Sequence, residues 1–277
     1  MYCIVLAALV FNGLGDNGAI QAANTDPLTD PVPCADISLS LVSTFSAEGK
    51  ALGLYMIEET ALLGVNNTGM KVYGYSPTTG TVNMEISLDP SNTSCFGAAF
   101  DPASAGTFYT NDWSGDDLFY TPDWGTTWNT VFDPSFSAGR GMDFDGTHFW
   151  TTNGTGSIIR FIPEYTPFDV LSVPETSGQL SGITVFPWEG DLAVAVTSYG
   201  ASGIWVYTWN GTALEYLGFG ALPVTPETSY GLAYSEDLNS MFFSYQDSSD
   251  DFLIARLSIE ISQALTPSTW AAVKASF

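Results

Sequence analysis

The chain has 277 residues, 45% of them hydrophobic and 14% aromatic, enough to bury a full-sized core and too apolar for general disorder. Six Lys and Arg stand against 30 Asp and Glu, a formal net charge of -24. Such a surface repels phosphate backbones and anionic lipid, which argues against nucleic acid as a partner.

Residues 3 to 11, Cys-Ile-Val-Leu-Ala-Ala-Leu-Val-Phe, form an apolar run too short to span a bilayer, with Gly- and Ala-rich sequence behind it. Residues 1–23 therefore read as a signal peptide, although no Lys or Arg precedes the run, and the expected product is secreted or cell-surface with no membrane span. Removing the leader removes Cys3. Cys34 and Cys95 remain, which permits one disulfide; two unpaired buried thiols are the alternative. Residues 24–36, with three Pro and three Asp, read as an extended linker.

Ile37 to Phe45 alternates apolar and small polar residues as a strand does, but has no hairpin partner nearby. Beyond it a repeat sets in. A glycine followed by small or apolar residues and an aromatic recurs at Gly53, Gly97, Gly141, Gly182 and Gly231, at spacings of 44, 44, 41 and 49 residues. Each unit continues through a turn, an aromatic-rich second strand, a polar loop and a third strand. A period of this length made of short strands predicts an all-β fold, a five-bladed β-propeller of four-stranded blades over residues 37–262. The fifth unit has only three strands, so the N-terminal strand supplies its fourth and closes the ring, protecting the sheet edges. The glycines suit inner strands that converge on the axis, where only small residues fit.

Between the third and fourth strands of the second unit lies Thr-Pro-Asp-Trp-Gly-Thr-Thr-Trp, residues 121 to 128. Asp123 can accept from amides of the turn, Gly125 can take positive φ, and Trp128 can fold back as an apolar lid. The pattern Thr121-x-Asp123-x-Gly125-x-Thr127-Trp128 resembles an Asp box, the bacterial-neuraminidase-type repeat of sialidases, sortilin-like receptors and other propellers, where it occupies this same hairpin. The resemblance covers eight residues. It implies a propeller and a structural turn away from any catalytic centre, and carries no activity with it.

In the tail, 263–277, Ser268 or Thr269 can cap a short helix with Trp270, Val273 and Phe277 on one face, expected to dock against the propeller.

No catalytic residue can be assigned. His148 is the only histidine, set beside Phe149 and Trp150, and without a second histidine or a thiol pair it builds no zinc or nucleophile site. Two acidic loops, one carrying Asp112, Asp116 and Asp117 and the other Asp247, Asp250 and Asp251, offer clustered oxygens for Ca2+; the same residues are ordinary turn formers and need no metal. The three arginines are Arg140, Arg160 and Arg256. A sialidase holds a carboxylate with three, but here two fall inside third strands.

The residues before the five glycines, Leu52, Phe96, Arg140, Ser181 and Tyr230, are expected to gather where the blade-connecting loops meet the axis. Phe96, Arg140 and Tyr230, with Trp113 from a neighbouring loop, make a candidate site for a sugar or a carboxylate; the competing reading pairs Arg140 with Asp143. Sequons at Asn66, Asn92, Asn153 and Asn210 mark surface turns. The function these observations favour is a non-catalytic extracellular recognition or structural module for a glycan or protein ligand. The alternative is a glycan-acting hydrolase with paired carboxylates at the propeller mouth.

Overall fold

The computed structural model describes residues 35–104, 106–115, 117–132, 139–163 and 168–263. All its regular elements are strands, arranged as five antiparallel four-stranded sheets. Strand β1 (Ala35–Ser46) comes first and has no partner among the strands next to it in the chain. The first blade is β2 (Leu54–Ile57), β3 (Ala61–Asn66), β4 (Lys71–Tyr75) and β5 (Val82–Ser87); the second is β6 (Cys95–Asp101), β7 (Thr107–Asp112), β8 (Asp117–Thr121) and β9 (Asn129–Phe132). The third blade is β10 (Gly139–Phe144), β11 (Phe149–Asn153), β12 (Ser157–Phe161) and β13 (Asp169–Ser172), and the fourth is β14 (Leu180–Trp188), β15 (Asp191–Ser198), β16 (Gly203–Trp209) and β17 (Leu214–Ala221). In the fifth, β18 (Thr228–Ser235), β19 (Ser240–Gln246) and β20 (Phe252–Gln263) are completed by β1, in the order β18-β19-β20-β1.

The first strand of every blade is the innermost, and these five contact one another in turn: β2 with β6, β6 with β10, β10 with β14, β14 with β18, and β18 back to β2. The chain is thus a five-bladed β-propeller closed by its N-terminal strand. Register confirms the closure, since β1 runs antiparallel to β20 from Ala35 opposite Gln263 to Ser46 opposite Leu253. Strand β1 also packs on the neighbouring blade: the Ile37 side chain lies so close over Gly218 and Gly220 of β17 that no side chain fits beneath it.

Each sheet is covered on both faces, which is why the strands read as continuous apolar runs; all of β3, β6, β7 and β11 are buried. The core is a set of inter-blade layers. Tyr55, Leu63, Ala99, Phe108, Met142 and Phe149 join the first three blades, Trp150, Ile183 and Val194 the third and fourth, Phe186, Leu232 and Phe243 the fourth and fifth, and Leu54, Leu62, Ala233 and Phe242 the fifth and first.

At the axis the five repeat glycines form a closed ring. A Cβ on Gly53 would meet Gly97, one on Gly97 the backbone around Arg140, one on Gly141 Gly182, one on Gly182 Gly231, and one on Gly231 Gly53. The strands approach here backbone to backbone, and any larger residue would push blades apart.

The turn at 121 to 128 joins β8 to β9. Asp123 Oδ1 accepts from Thr121 Oγ1 and from the Thr127 amide, both at 2.8 Å, while Oδ2 accepts from Thr127 Oγ1 at 2.7 Å. Thr121 Oγ1 accepts from the Gly125 amide at 2.8 Å, and Gly125 has φ +88°. Trp128 donates Nε1 to the Ser87 carbonyl of the first blade at 3.0 Å, so the turn also fastens two blades together. Trp124 stacks on Phe100, with ring centroids 5.2 Å apart.

The leader, most of the 24–36 segment, Cys34 and the helix expected over 268–277 lie outside the described residues. Ala35 and Asp36 belong to β1. Cys95 is fully buried in β6, its Sγ 3.9 Å from the Gly97 carbonyl, and burial pushes its thiol pKa far up.

Candidate functional site: the axial mouth

The mouth is built by a repeated bulge. In four inner strands the register slips between Cys95 and Ala98, Gly139 and Met142, Leu180 and Ile183, and Ser229 and Leu232, so that two residues, the second a repeat glycine, oppose one. A bulge leaves backbone groups without ladder partners, and burial demands that they be satisfied. Polar residues in otherwise apolar second strands do this. Asn111 Oδ1 accepts from the Gly97 amide at 2.7 Å, and its Nδ2 donates to the Arg140 carbonyl at 2.6 Å. Thr151 Oγ1 donates to the Gly141 carbonyl at 2.9 Å, and Thr152 Oγ1 to the Ser181 carbonyl at 3.1 Å. Ser244 Oγ accepts from the Gly231 amide at 2.8 Å and donates to the Ala51 carbonyl at 2.6 Å.

The bulge turns the residue before each glycine toward the mouth. Leu52, Phe96 and Tyr230 form one buried cluster with Phe252 packed against it. The Arg140 guanidinium lies 5.8 Å from the Phe96 ring centroid and 4.9 Å from that of Tyr199. Tyr199 meets Phe96 and Tyr230 edge to face, at 6.3 Å and 5.8 Å. Three of the four expected ligand residues are therefore brought together. The fourth, Trp113, is 42% exposed on the loop after β7, with its amide on the Ser94 carbonyl, and its ring does not join the cluster.

Arg140 is 8% exposed. Its Nη2 donates to Gln179 Oε1 at 2.7 Å and its Nη1 to the Leu180 carbonyl at 3.3 Å, while Nε is buried with no acceptor. No carboxylate pairs with it among the described residues, whose ion pairs are Lys71–Glu85 and Arg160–Asp169. Burial lowers its pKa, with Tyr199 acting in the opposite direction, yet an arginine so placed stays charged. Ser181, the equivalent residue one blade on, is fully buried and its Oγ is also unpartnered.

The pairing of Arg140 with Asp143 does not form. Asp143 Oδ2 instead accepts from Thr184 Oγ1 and the Val185 amide of the fourth blade, both at 2.7 Å, and Oδ1 from the Phe144 amide. Burial raises its carboxyl to about 6 against these hydrogen bonds.

His148 precedes β11 rather than lying in it, and its Nδ1 is 2.8 Å from Arg160 Nη2. Arg160 is held between the rings of Trp150 and Trp209 and by Asp169, and burial, then Arg160, depress the imidazole pKa. This is inter-blade packing. In the acidic loops, Asp112 Oδ1 accepts from Ser114 N and Oγ and from Gly115 N, and Asp247 Oδ1 from Ser249 N and Asp251 N. Asp250 Oδ1 accepts from Gln246 Nε2, Asp117 opens β8, and Asp116 lies outside the described residues. Among the described residues no group of three or more His, Cys, Asp or Glu is placed to hold a metal.

The sequons are not equivalent surface turns. Asn66, Asn92 and Asn153 are buried, Asn66 donating to the Glu48 carbonyl and Asn92 to Thr110 Oγ1; Asn210 is exposed. Two contributors to the mouth escaped the sequence, Tyr199 and Gln179. The available signal was a lone aromatic at the start of a loop of small residues, Tyr199 to Gly203.

No protein-family model and no curated protein matches the chain. Solved structures do. A glutaminyl cyclase from Myxococcus xanthus is 10% identical with a TM-score of 0.60, covering 84% of this chain and 100% of that one. The PQQ-bound aldose sugar dehydrogenase from Streptomyces coelicolor is 14% identical with a TM-score of 0.54, covering 83% and 100%. An auxiliary nutrient-binding protein from Bacteroides thetaiotaomicron is 9% identical with a TM-score of 0.51, covering 83% and 77%. At such identities, and with such different activities among them, the likeness is one of fold: what this chain shares with these proteins is the β-propeller.

Proposed function

We propose that the protein is a secreted, non-catalytic recognition module that takes a glycan or protein ligand at the axial mouth. The observation that carries this reading is a buried guanidinium with no carboxylate paired to it among the described residues, flanked by Phe96 and Tyr199 with Tyr230 and Leu52 alongside. Such a charge, framed by aromatic faces at the meeting point of five blades, suits a binding site. A glycan hydrolase would need two carboxylates converging within ~5 to 10 Å. Among the described residues the side chains that meet Arg140 include none, and Asp143 is occupied inside the seam between the third and fourth blades. In the same reading the turn at 121 to 128 is an Asp box with a structural role.

A glycan array probed with and without Ca2+ tests the proposal. Binding that Phe96→Ala abolishes supports it, and loss of that binding on chelation would add Ca2+ held by the loops of Asp112 and Asp247. An array silent in both conditions removes the glycan-binding form and leaves a scaffold.

A further inference from the structure

The mouth holds two buried donors with nothing to donate to, Arg140 Nε and Ser181 Oγ, on adjacent blades. An unsatisfied buried donor costs about 1–3 kcal/mol, more when charged, so such groups in a folded protein ask for an explanation. Gln179 and the Leu180 carbonyl each take an N–H from one terminal nitrogen of Arg140, so that among the described residues Nε–H and one N–H on each terminal nitrogen remain as donors for the oxygens of a carboxylate. Among the described residues no carboxylate forms an ion pair with Arg140.

The Tyr199 ring lies over the guanidinium, its centroid 4.9 Å from Cζ. Tyr199 is 36% exposed on the turn after β15, and its ring is held by Arg140, Phe96 and Tyr230 through faces and edges; among the described residues its hydrogen bond is that of the backbone amide to the Gln179 carbonyl. A side chain held only by ring contacts can leave its place by χ1 rotation without breaking a hydrogen bond.

Resting on the reading of the mouth as a recognition site, we propose that its ligand is a monocarboxylate on a flat or apolar body, bound side-on by Arg140 after the Tyr199 ring swings aside. The carboxylate takes two of the free N–H groups, and the body replaces Tyr199 against Phe96, Leu52 and Tyr230. Ser181 Oγ is then available to a carboxylate oxygen.

Isothermal titration of the full chain with benzoate and with benzamide, an uncharged analogue of the same shape, tests this. Benzoate is expected to bind at least about tenfold more tightly, the difference being a charged hydrogen bond of roughly 1.5 kcal/mol or more. Arg140→Gln should erase the preference, and Arg140→Lys should restore only part of it, a point charge lacking the fork. Because Arg140→Gln can disturb folding, the wild-type Nε–H resonance of Arg140 gives a second readout, one of three arginine signals, expected to shift with benzoate and not with benzamide. Equal binding of acid and amide that Phe96→Ala weakens would overturn the carboxylate inference and leave the recognition reading standing. A wild-type Arg140 Nε–H signal unmoved by saturating benzoate would also overturn it, whatever the glycan array shows.

Discussion

Asp143 shows how a single buried group can tie stability to pH. Its carboxyl is raised to about 6, above the ordinary 3.8, so the folded state favours the protonated form. This group therefore contributes most stability below about pH 4, and that contribution is lost as pH rises toward and through about 6, up to about 3 kcal/mol. Asp143→Asn should remove that segment, so the melting temperature of the variant relative to wild type should climb between about pH 4 and 7; a difference that stays flat would mean that the carboxyl titrates normally. Glycine positions separate in the same way. A Cβ on Gly97 would overlap the Arg140 carbonyl and come within 2.8 Å of Met142 N, whereas at Gly146, φ +91°, nothing lies within 4 Å. Gly97→Ala should cost about 3 kcal/mol or more by forcing two blades apart, and Gly146→Ala only about 1 kcal/mol of backbone strain, measurable by urea denaturation of the two variants.

Among the elements, the hairpin between β8 and β9 carries its own logic. Thr121 is fully buried, donates to Asp123 and accepts from the Gly125 amide, so one hydroxyl organises the whole turn. Thr121→Val keeps the shape and removes both of these bonds and the one from the Asp123 amide. It should destabilise by about 1–2 kcal/mol, a fall of several degrees in melting temperature, with the Trp124 and Trp128 fluorescence shifted as their turn loosens. An unchanged melting temperature would show that Trp128 and its bond to Ser87 hold the turn unaided. The residue pattern made this element legible because the hydrogen bonds among Thr121, Asp123, Gly125 and Thr127 all close within eight positions. The bulges of the inner strands were half legible: the glycines stood out, while Asn111, Thr152 and Ser244 took meaning only once their backbone partners beyond their own blades were known.

For the molecule as a whole, closure is the decisive contact. Strand β1 completes the fifth blade and lies on Gly218 and Gly220 of the fourth, tying the start of the propeller to its end. Ala35 sits opposite Gln263, so a short turn can join them. A circular permutant opened between Ser46 and Ala47, with Gln263 linked to Ala35, should fold to a melting temperature within a few degrees of the parent, while deletion of 35–46 should expose the β20 edge and aggregate. A monomeric, fully stable deletion variant in size-exclusion chromatography would show that closure is dispensable.

The amino-acid sequence determined the architecture unaided: strand type, a period near 44 residues, the number of blades and the borrowed fourth strand all come from local apolar runs and recurring glycines, which report on each residue's immediate surroundings. The mouth was legible only as a set of positions. That Phe96, Arg140 and Tyr230 converge was implied by their common place before the glycines, but what Arg140 touches was decided by a turn 59 residues further on, where Tyr199 sits. Only the tertiary structure could set Asp143 on Thr184 instead of Arg140, bury three of four sequons and leave Trp113 outside the cluster. Those outcomes depend on which blades meet face to face, and contacts across a seam leave no pattern in the local sequence.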